Sequence, residues 1–296
     1  MDGSGKHIIK KAPIFSAEMF PPRTLEGVSK LDSEIETLQK FQPEYLSVTY
    51  GAGGATKQGT RDLVRKLLER DISAVPHLSF GGTTDAEMRS ILEDYRNLGV
   101  RRLVVLRGDM PSGIGLSKQQ PHASDLVQFI RAETGSHFHI DVACYPETHP
   151  ESESVNTDIE YFKKKVRAGA NSAITQYFYN ADAYFEFISQ CHKEGVDVPI
   201  VPGIMPITNS AGLVKFSSVC GVEVPRWLKN KLETFKSNND DLCKFGVEFV
   251  TKLCEKLLEG GAPALHFYSM NRAGPAIKII KNLESSGAIP KHNMEQ

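Results

Sequence analysis

The sequence predicts a (β/α)8 TIM barrel with extra helices between strands seven and eight. Eight short apolar runs recur along the 296 residues, and most intervals between them have the spacing of an amphipathic helix. Strands that alternate with helices pair in parallel, and right-handed crossovers close a series of eight into a barrel. Unusual polar residues also collect where the strands end, which is where such barrels carry their active sites.

The predicted strands are rich in β-branched, aliphatic and aromatic residues. In chain order they are IFSAEMF (14–20), YLSVTYG (45–51), SAVPHLSF (73–80), RRLVVLRG (101–108), DVACYP (141–146), SAITQYFY (172–179), VPIVPGIM (198–205) and ALHFYSM (264–270). An open doubly wound sheet is the alternative, but its glycine-rich first turn is missing. The nearest match, GAGGAT at 51–56, lacks the third glycine and follows the second strand, so we expect a flexible loop there.

The intervals between the strands carry helical patterns. Leu31, Ile35 and Leu38 repeat at helical spacing, and similar patterns fall within 63–68, 91–98, 158–166 and 183–191. Several of these segments end in glycine, which favours the left-handed backbone of a helix C-terminus. These glycines are Gly99, Gly169, Gly195, Gly260 and Gly261.

The interval between strands seven and eight holds about sixty residues, enough for additional helices. We expect one helix over 210–220, one over 225–235 and a long one over 240–258, with Asp240 or Asp241 as its N-cap. No linker or repeat divides the chain. The sequence therefore predicts one catalytic domain over 1–296, with residues 1–12 as a flexible arm.

Composition and charge argue against several classes of function. A formal net charge of −1 disfavours nucleic acid or a membrane surface as a partner held by bulk charge. No apolar run approaches the ~20 residues that span a bilayer, and the polar N-terminal segment has no signal-peptide core. The five cysteines have no CxxC spacing, which is typical of reduced thiols in a cytoplasmic protein.

Glu18 is a carboxylate inside the first predicted strand, shortly before Pro21 and Pro22. Burying an unpaired carboxylate is costly, so it needs a partner, a proton or a function. Polar residues stand at the ends of six more strands: Thr49, Tyr50, His77, Arg107, Asp109, Tyr145, Glu147, His149, Gln176, Tyr268, Asn271 and Arg272. Each alone has a structural explanation, such as His77 as a core histidine or Arg107 with Asp109 as a local ion pair. Seven strand ends together favour an active site.

The residue types indicate the chemistry of that site. We can place no Ser-His-Asp set, cysteine nucleophile or standard metal-ligand spacing, so we predict no metal. One buried acid, an Arg-Gly-Asp turn, a glutamine and several tyrosines suit a site that binds a large aromatic cofactor and moves one proton.

Nine stretches of the chain, in order, resemble the flavin-dependent methylenetetrahydrofolate reductases. They are EMFPPRT, SVTYGA, PHL, LRGD, ASDLV, YPETHPE, AGANSAITQYF, PGIMPI and FYSMNRA. The resemblance implies a barrel that holds FAD non-covalently at its C-terminal face. It implies that NADH or NADPH reduces the flavin and leaves, and that 5,10-methylenetetrahydrofolate then accepts hydride to give 5-methyltetrahydrofolate in a ping-pong sequence.

The resemblance also implies roles for individual residues. Glu18 matches the acid that protonates N10 of the folate, and we expect Pro21 and Pro22 to hold it in position as a stiff exit. Asp109 matches the aspartate whose charge favours the iminium form of the substrate. Thr49 matches a nicotinamide contact, and the FAD positions are Tyr50, Ala52, His77, Arg107, Gly108, Asp109, Ala123, Tyr145, His149, Asp158, Lys164 and Lys165. Gln176, Phe216 and Arg272 match substrate contacts.

Two positions depart from the bacterial pattern, with Gly212 in place of a glutamine and Tyr161 in place of an asparagine. The first bears on one folate or nicotinamide hydrogen bond, and the second suggests a modified hold on the FAD diphosphate. The resemblance implies a cytoplasmic homo-oligomer of one-carbon metabolism and methionine biosynthesis, without a regulatory domain or inhibition by S-adenosylmethionine. Two alternatives stay open: a pterin-binding barrel methyltransferase without flavin, and a folate- or flavin-binding protein without turnover.

Overall fold

The computed structural model describes residues 14–22, 24–50, 57–108, 122–235 and 238–291. Its centre is a sheet of parallel strands, which are β1 Ile14–Met19, β2 Leu46–Val48, β3 Ala74–Leu78, β4 Arg102–Val105, β5 His139–Cys144, β6 Ser172–Thr175, β7 Ile200–Val201, β8 Gly203–Ile204 and β9 Ala264–Tyr268. Their order in the sheet is β7-β6-β5-β4-β3-β2-β1-β9-β8. Sequence neighbours therefore pair all the way around.

The predicted seventh strand is divided into β7 and β8 at Pro202. β7 pairs with β6 and β8 pairs with β9, so one short segment joins both edges of the sheet and closes the barrel. Pro202 has no amide hydrogen to donate to the ladder, but its carbonyl accepts a 3.0 Å hydrogen bond from the His266 amide. The predicted (β/α)8 barrel is confirmed, with its seventh strand interrupted.

Ten helices surround the sheet in the described ranges: α1 Leu25–Gln39, α2 Lys57–Leu68, α3 Asp85–Asn97, α4 Ala123–Thr134, α5 Val155–Arg167, α6 Ala181–Lys193, α7 Ser210–Cys220, α8 Arg226–Glu233, α9 Asn239–Glu259 and α10 Ala273–Ser286. The three extra helices α7, α8 and α9 lie in the predicted interval. The expected N-cap of α9 is wrong: Asn238 takes that place, since its Oδ1 accepts from the Asp241 amide at 3.1 Å. No helix in these ranges is long and apolar enough to cross a membrane.

Most of the glycines predicted at helix C-termini adopt the expected backbone conformation. Gly99, Gly169, Gly195 and Gly261 all have positive φ, which confirms the left-handed backbone expected there. Gly260 is different, because it caps α9 with a φ of −77° and leaves the left-handed position to the next glycine.

A buried polar network fills the N-terminal end of the barrel. Arg102 forks onto Asp141 with nitrogen–oxygen distances of 2.6 and 3.0 Å, and its guanidinium lies 4.4 Å from the centroid of the Tyr45 ring. Burial acts to raise the pKa of Asp141, but hydrogen bonds from His139, Arg102 and Ser172 outweigh it and hold that pKa at about 2. This network therefore lies at the end of the barrel opposite the C-terminal ends of the strands.

Candidate active site

A cavity of about 250 Å³ opens at the C-terminal end of the barrel. Strands all around the barrel, or the residues just after them, contribute side chains to its lining, together with one residue of α7. The lining residues are Glu18, Thr49, Tyr50, His77, Val104, Leu106, Ala143, Tyr145, Ile174, Gln176, Tyr177, Met205, Phe216, His266, Tyr268 and Met270. Seven residues singled out from the sequence as catalytic or binding are brought together here: Glu18, Thr49, Tyr50, His77, Tyr145, Gln176 and Phe216. His266, Tyr177, Met205 and Met270 also line the cavity but have no signal in the sequence, where they resemble ordinary core residues.

Glu18 lies one residue before the end of β1 with its side chain 20% exposed. Burial raises the pKa of its carboxyl to about 8, because the charged form loses its hydration. No lysine or arginine of the described ranges lies within ion-pair distance of it. The carboxyl group is therefore mostly protonated at neutral pH.

His77 faces Glu18 from β3, with 3.6 Å between its Nε2 and Glu18 Oε2. Burial lowers the pKa of His77 to about 4, so the imidazole is neutral at pH 7 and the two residues do not form an ion pair. His77 Nε2 and Thr49 Oγ1 are both buried without a hydrogen-bond partner in the described part of the chain. Unpartnered buried polar atoms in a cavity wall are unusual and suit a site that a polar ligand completes.

Asn271 clamps the backbone of Phe20, two residues after Glu18. Its Oδ1 accepts from the Phe20 amide at 2.9 Å, and its Nδ2 donates to the Phe20 carbonyl at 2.8 Å. Ser269 Oγ donates to the Glu18 carbonyl at 2.5 Å from the same loop. These contacts join residues about 250 positions apart, so the sequence offered no direct signal for them.

An aromatic pair, Tyr177 and Phe216, forms another part of the cavity lining. The rings of Tyr177 and Phe216 are parallel to within 5°, with 6.0 Å between their centroids. Tyr177 also shares a 3.0 Å hydrogen bond between its hydroxyl and Ser217 Oγ. Phe216 is 42% exposed on α7, so its ring is accessible to a planar ligand. Gln176 is beside this pair, and its Oε1 accepts from the Tyr177 amide at 3.0 Å.

Four predicted cofactor residues, Tyr145, His149, Asp158 and Arg107, are linked by a chain of contacts through Glu151. The Tyr145 ring packs edge-to-face on His149 with 4.5 Å between centroids. The His149 amide donates to Asp158 Oδ2 at 2.9 Å, and His149 Nδ1 accepts from the Glu151 amide at 3.0 Å. Glu151 in turn accepts from Arg107 Nη2 at 2.5 Å. Arg107 thus pairs across to the loop after β5.

The three consecutive lysines of α5 have different environments. Lys165 turns inward and donates from Nζ to the Ala143 carbonyl at 2.5 Å, and burial lowers its pKa. Lys163 is buried between Glu160 and Glu194, with its Nζ 2.7 Å from a carboxylate oxygen of each. Lys163 and Lys165 are therefore not part of a solvated helix face.

Lys164 is the exposed member of the lysine run. Its Nζ lies 4.9 Å from the centroid of the Tyr161 ring, and that ring stacks on His122 with 5.3 Å between centroids. His122 is the residue before Ala123, the first residue of α4. The structure thus brings Lys164 and Ala123 to one edge of the molecule, between the N-terminus of α4 and the exposed face of α5.

The remaining predicted site residues lie outside the cavity lining or outside the described residues. Gly108 has a φ of +84°, and an added Cβ would lie 2.7 Å from Ser79 Oγ, so this turn requires glycine. Arg272 is exposed at the N-cap of α10 and is not part of the cavity lining. Ala52 and Asp109 lie outside the described residues. Within the described ranges, no group of three or more histidine, cysteine, aspartate or glutamate side chains is placed to hold a metal ion.

A family model for methylenetetrahydrofolate reductase matches residues 4–284. The chain belongs to the methylenetetrahydrofolate reductase family. The 5,10-methylenetetrahydrofolate reductase of Escherichia coli (strain K12) is 37% identical over 269 residues, which cover 90% of each chain. The Arabidopsis thaliana methylenetetrahydrofolate reductase (NADH) 1 is 35% identical over 283 residues, covering 91% of this chain and 48% of the plant protein. Family membership supports methylenetetrahydrofolate reduction as the reaction of this protein.

A solved structure shares the architecture. An uncharacterized protein from Clostridium thermocellum that binds two copies of 5-methyl-5,6,7,8-tetrahydrofolic acid superposes with a TM-score of 0.66 and 19% identity, covering 94% of this chain and 95% of that one. At this identity the likeness shows the fold, and the methylenetetrahydrofolate reductase family assignment rests on the sequence matches.

Proposed function

We propose that this protein reduces 5,10-methylenetetrahydrofolate to 5-methyltetrahydrofolate, with NADH or NADPH as electron donor and FAD as a non-covalent cofactor. The observation that carries the proposal is Glu18, a mostly buried carboxyl group with a pKa of about 8 on the wall of the cavity. A protein that only bound a folate would not need an acid kept protonated at neutral pH. Family membership supplies the substrate class.

Glu18 supplies the proton that the chemistry needs. Its carboxyl proton moves to N10 of the folate, the bond between N10 and the bridging carbon breaks, and N5 becomes an iminium. Hydride addition to the bridging carbon then gives the N5-methyl product. The nicotinamide loses the hydride, and the Glu18 carboxylate regains its proton from solvent, so charge and electrons balance.

The described residues fit a bound dinucleotide such as FAD. His77 Nε2 and Thr49 Oγ1 are unpartnered polar atoms on the cavity wall, which a polar ring system would satisfy. We assign the remaining contacts to Tyr50, Ala52, Arg107, Gly108, Ala123, Tyr145, His149, Asp158, Lys164 and Lys165. When bound, FAD supplies the two-electron carrier that lets the nicotinamide and the folate react in turn.

Three further residues act on the substrates in this proposal. Gln176 and Phe216 line the cavity and would orient and stack the reacting ring of either substrate. Asp109 lies outside the described residues, and the family resemblance assigns it a negative charge that would favour the iminium. Arg272 would contact the folate side of the substrate from the exposed start of α10.

The test is to purify the protein, record its visible spectrum, and follow the two half-reactions separately. We expect a yellow protein, or uptake of added FAD, with bleaching by NADH or NADPH and recovery of colour with methylenetetrahydrofolate. A colourless protein that takes up no FAD contradicts the proposal and favours a flavin-free methyltransferase. Binding of flavin and folate with neither half-reaction would indicate a binding protein. The relative rates with the two nicotinamides decide the donor.

A further inference from the structure

Helix α7 carries Phe216 to the cavity mouth although it is only shallowly packed. Of its eleven residues only Leu213 and Ser217 are buried, and Val219 is 75% exposed. Few apolar contacts therefore hold this helix in place, and individual polar contacts at its ends have a large share in its position.

Two contacts from the loop after β5 reach the C-terminal end of α7. Glu147 Oε2 accepts a 2.8 Å hydrogen bond from the amide of Glu223, which lies 76 residues further along the chain. Pro150 packs against Gly221, the left-handed C-cap of α7, so closely that an added Cβ would lie 2.2 Å from Pro150 Cγ. Together they tie the end of α7 to the barrel.

The loop that provides these contacts is itself held in one conformation. Thr148 has a φ of +70°, which is strained for a β-branched residue and persists only where the surroundings impose it. His149, next to it, is anchored to Asp158, and Glu151 is paired with Arg107. The Glu147 carboxyl is half-buried, and burial raises its pKa to about 7, while its hydrogen bond to the Glu223 amide acts in the opposite direction. A carboxyl oxygen accepts from an amide in either protonation state.

We propose that Glu147 is a positioning residue: through the amide of Glu223 it holds α7 so that Phe216 stays over the cavity. Without this contact the helix end is free to move, and the stacking surface for the folate or nicotinamide ring is lost for part of the time. The inference rests on the proposed function, since it assumes that Phe216 contacts a substrate ring. The sequence had placed Glu147 at a strand end but assigned it no role.

The first test compares the Michaelis constant for methylenetetrahydrofolate among variants. Glu147→Ala is expected to raise KM about tenfold with kcat within about twofold of the unmodified protein, the size expected for one lost hydrogen bond. Glu147→Gln keeps an acceptor oxygen and should restore a nearly normal KM. Glu153→Ala is the matched control, because Glu153 is an exposed carboxylate of the same loop. Pro150→Ala, which removes the second contact, should raise KM in the same direction.

The second test is hydrogen exchange, which does not depend on folate chemistry. We expect faster exchange of the Glu223 amide and of α7 in Glu147→Ala, but not in Glu147→Gln or Glu153→Ala. Unchanged exchange in Glu147→Ala would overturn the proposed tether, whatever the activity. Faster exchange with an unchanged KM would overturn the positioning role. If the unmodified protein reduces no folate, the proposed function fails instead, and exchange still decides whether Glu147 holds α7.

Discussion

Glu18 and His77 illustrate how one physical cause sets two protonation states. Burial disfavours the charged form of each group, so it raises the pKa of the carboxyl to about 8 and lowers that of the imidazole to about 4. At 3.6 Å the two side chains could have formed an ion pair, yet both are neutral at pH 7. The proton therefore stays on the carboxyl oxygen, where a general acid needs it.

Replacing Glu18 separates the two half-reactions. Glu18→Gln keeps the size and polarity of the side chain but has no acidic proton. We expect FAD reduction by the nicotinamide at a rate within a few-fold of normal, and oxidation by methylenetetrahydrofolate slowed by about 10³ or more, within the range that positioned acids contribute. Stopped-flow absorbance at the flavin band measures both. A normal folate half-reaction would show that another group is the acid.

The folate half-reaction should also depend on pH. Since only the protonated form of Glu18 is active as an acid, the rate is expected to be highest below its pKa of about 8 and to fall about tenfold per pH unit above it. The nicotinamide half-reaction is the internal control and should lack this limb. A folate half-reaction that stays constant from pH 6 to about pH 10 contradicts the assignment.

The same pKa shift makes folding stability depend on pH. The folded value of about 8 lies above the ordinary 4.5, so the folded state binds more protons. The resulting contribution is fully present below about 4.5 and is lost as the pH rises through about 8. We therefore expect Glu18→Gln to gain melting temperature relative to the unmodified protein between pH 6 and pH 9. If the melting temperatures of the two proteins differ by the same amount at pH 6 and at pH 9, burial does not shift the pKa of Glu18.

At the scale of elements, the loop between β9 and α10 fixes the end of β1. Asn271 satisfies both backbone groups of Phe20, and Ser269 holds the carbonyl of Glu18. The two prolines after Phe20 remain a predicted second restraint. Because Phe20 is two residues from the acid, the loop has a direct effect on where the carboxyl lies.

Removing that clamp should affect both stability and chemistry. Asn271→Ala loses two hydrogen bonds to the partly buried backbone of Phe20. We expect the unfolding free energy to fall by about 1–3 kcal/mol and the folate half-reaction to slow. Asn271→Asp keeps an acceptor for the Phe20 amide but loses the donor to its carbonyl, so an intermediate effect is expected. Urea unfolding and stopped-flow kinetics measure the two effects. Normal values for both in Asn271→Ala would contradict the clamp.

The two departures from the bacterial pattern are also features of single elements. Gly212 lies in the first turn of α7, where its amide donates to the N-cap Asn209 at 3.0 Å. It has no side chain to reach a ligand, and Phe216 on the next turn is the residue of this helix that lines the cavity. Tyr161 lies on α5 in a stack with His122, so this position has an aromatic surface instead of a hydrogen-bonding amide.

At the scale of the whole molecule, closure of the barrel depends on close backbone approach at Gly203. Its amide donates to Thr175 Oγ1 at 2.9 Å, and Tyr268 donates from its hydroxyl to the Thr175 carbonyl at 2.8 Å. An added Cβ would lie 2.3 Å from that carbonyl oxygen and 2.5 Å from the Tyr268 ring. Glycine is therefore required for β8 to complete the sheet.

A methyl group at Gly203 should disrupt the pairing that closes the barrel. Gly203→Ala is expected to lower the unfolding free energy by about 3 kcal/mol and to weaken folate binding, since Tyr268 also lines the cavity. Gly274→Ala is the matched control, because an added Cβ there meets nothing within 4 Å and alanine favours the helix. Thermal and urea unfolding measure both variants. Equal stability of the two would contradict the steric requirement.

The order of strands and helices could be predicted because it depends on local patterns. Apolar runs and helical spacing were sufficient to predict the barrel. The left-handed helix C-termini predicted at Gly99, Gly169 and Gly195 are confirmed. The strand boundaries differ more from the prediction: β6 ends at Thr175, although the apolar run continues to Tyr179. The last three residues of that run are buried in the loop after β6, so their apolar character reflects burial and not strand pairing. Asn238 replaced the expected cap of α9 because neighbouring Asn and Asp residues are equally suited to that position.

The barrel, the family, and the position of Glu18 near the end of the first strand could be predicted from the sequence alone. These follow from residue periodicity and motif order, which are properties of neighbouring residues. Four features are visible only in the folded chain: the raised pKa of Glu18, the clamp of Asn271 on Phe20, the hydrogen bond from the Glu223 amide to Glu147, and the division of the seventh strand at Pro202. Burial and contacts between residues 76 or about 250 positions apart depend on which segments the folded chain brings together, and no local pattern contains that information.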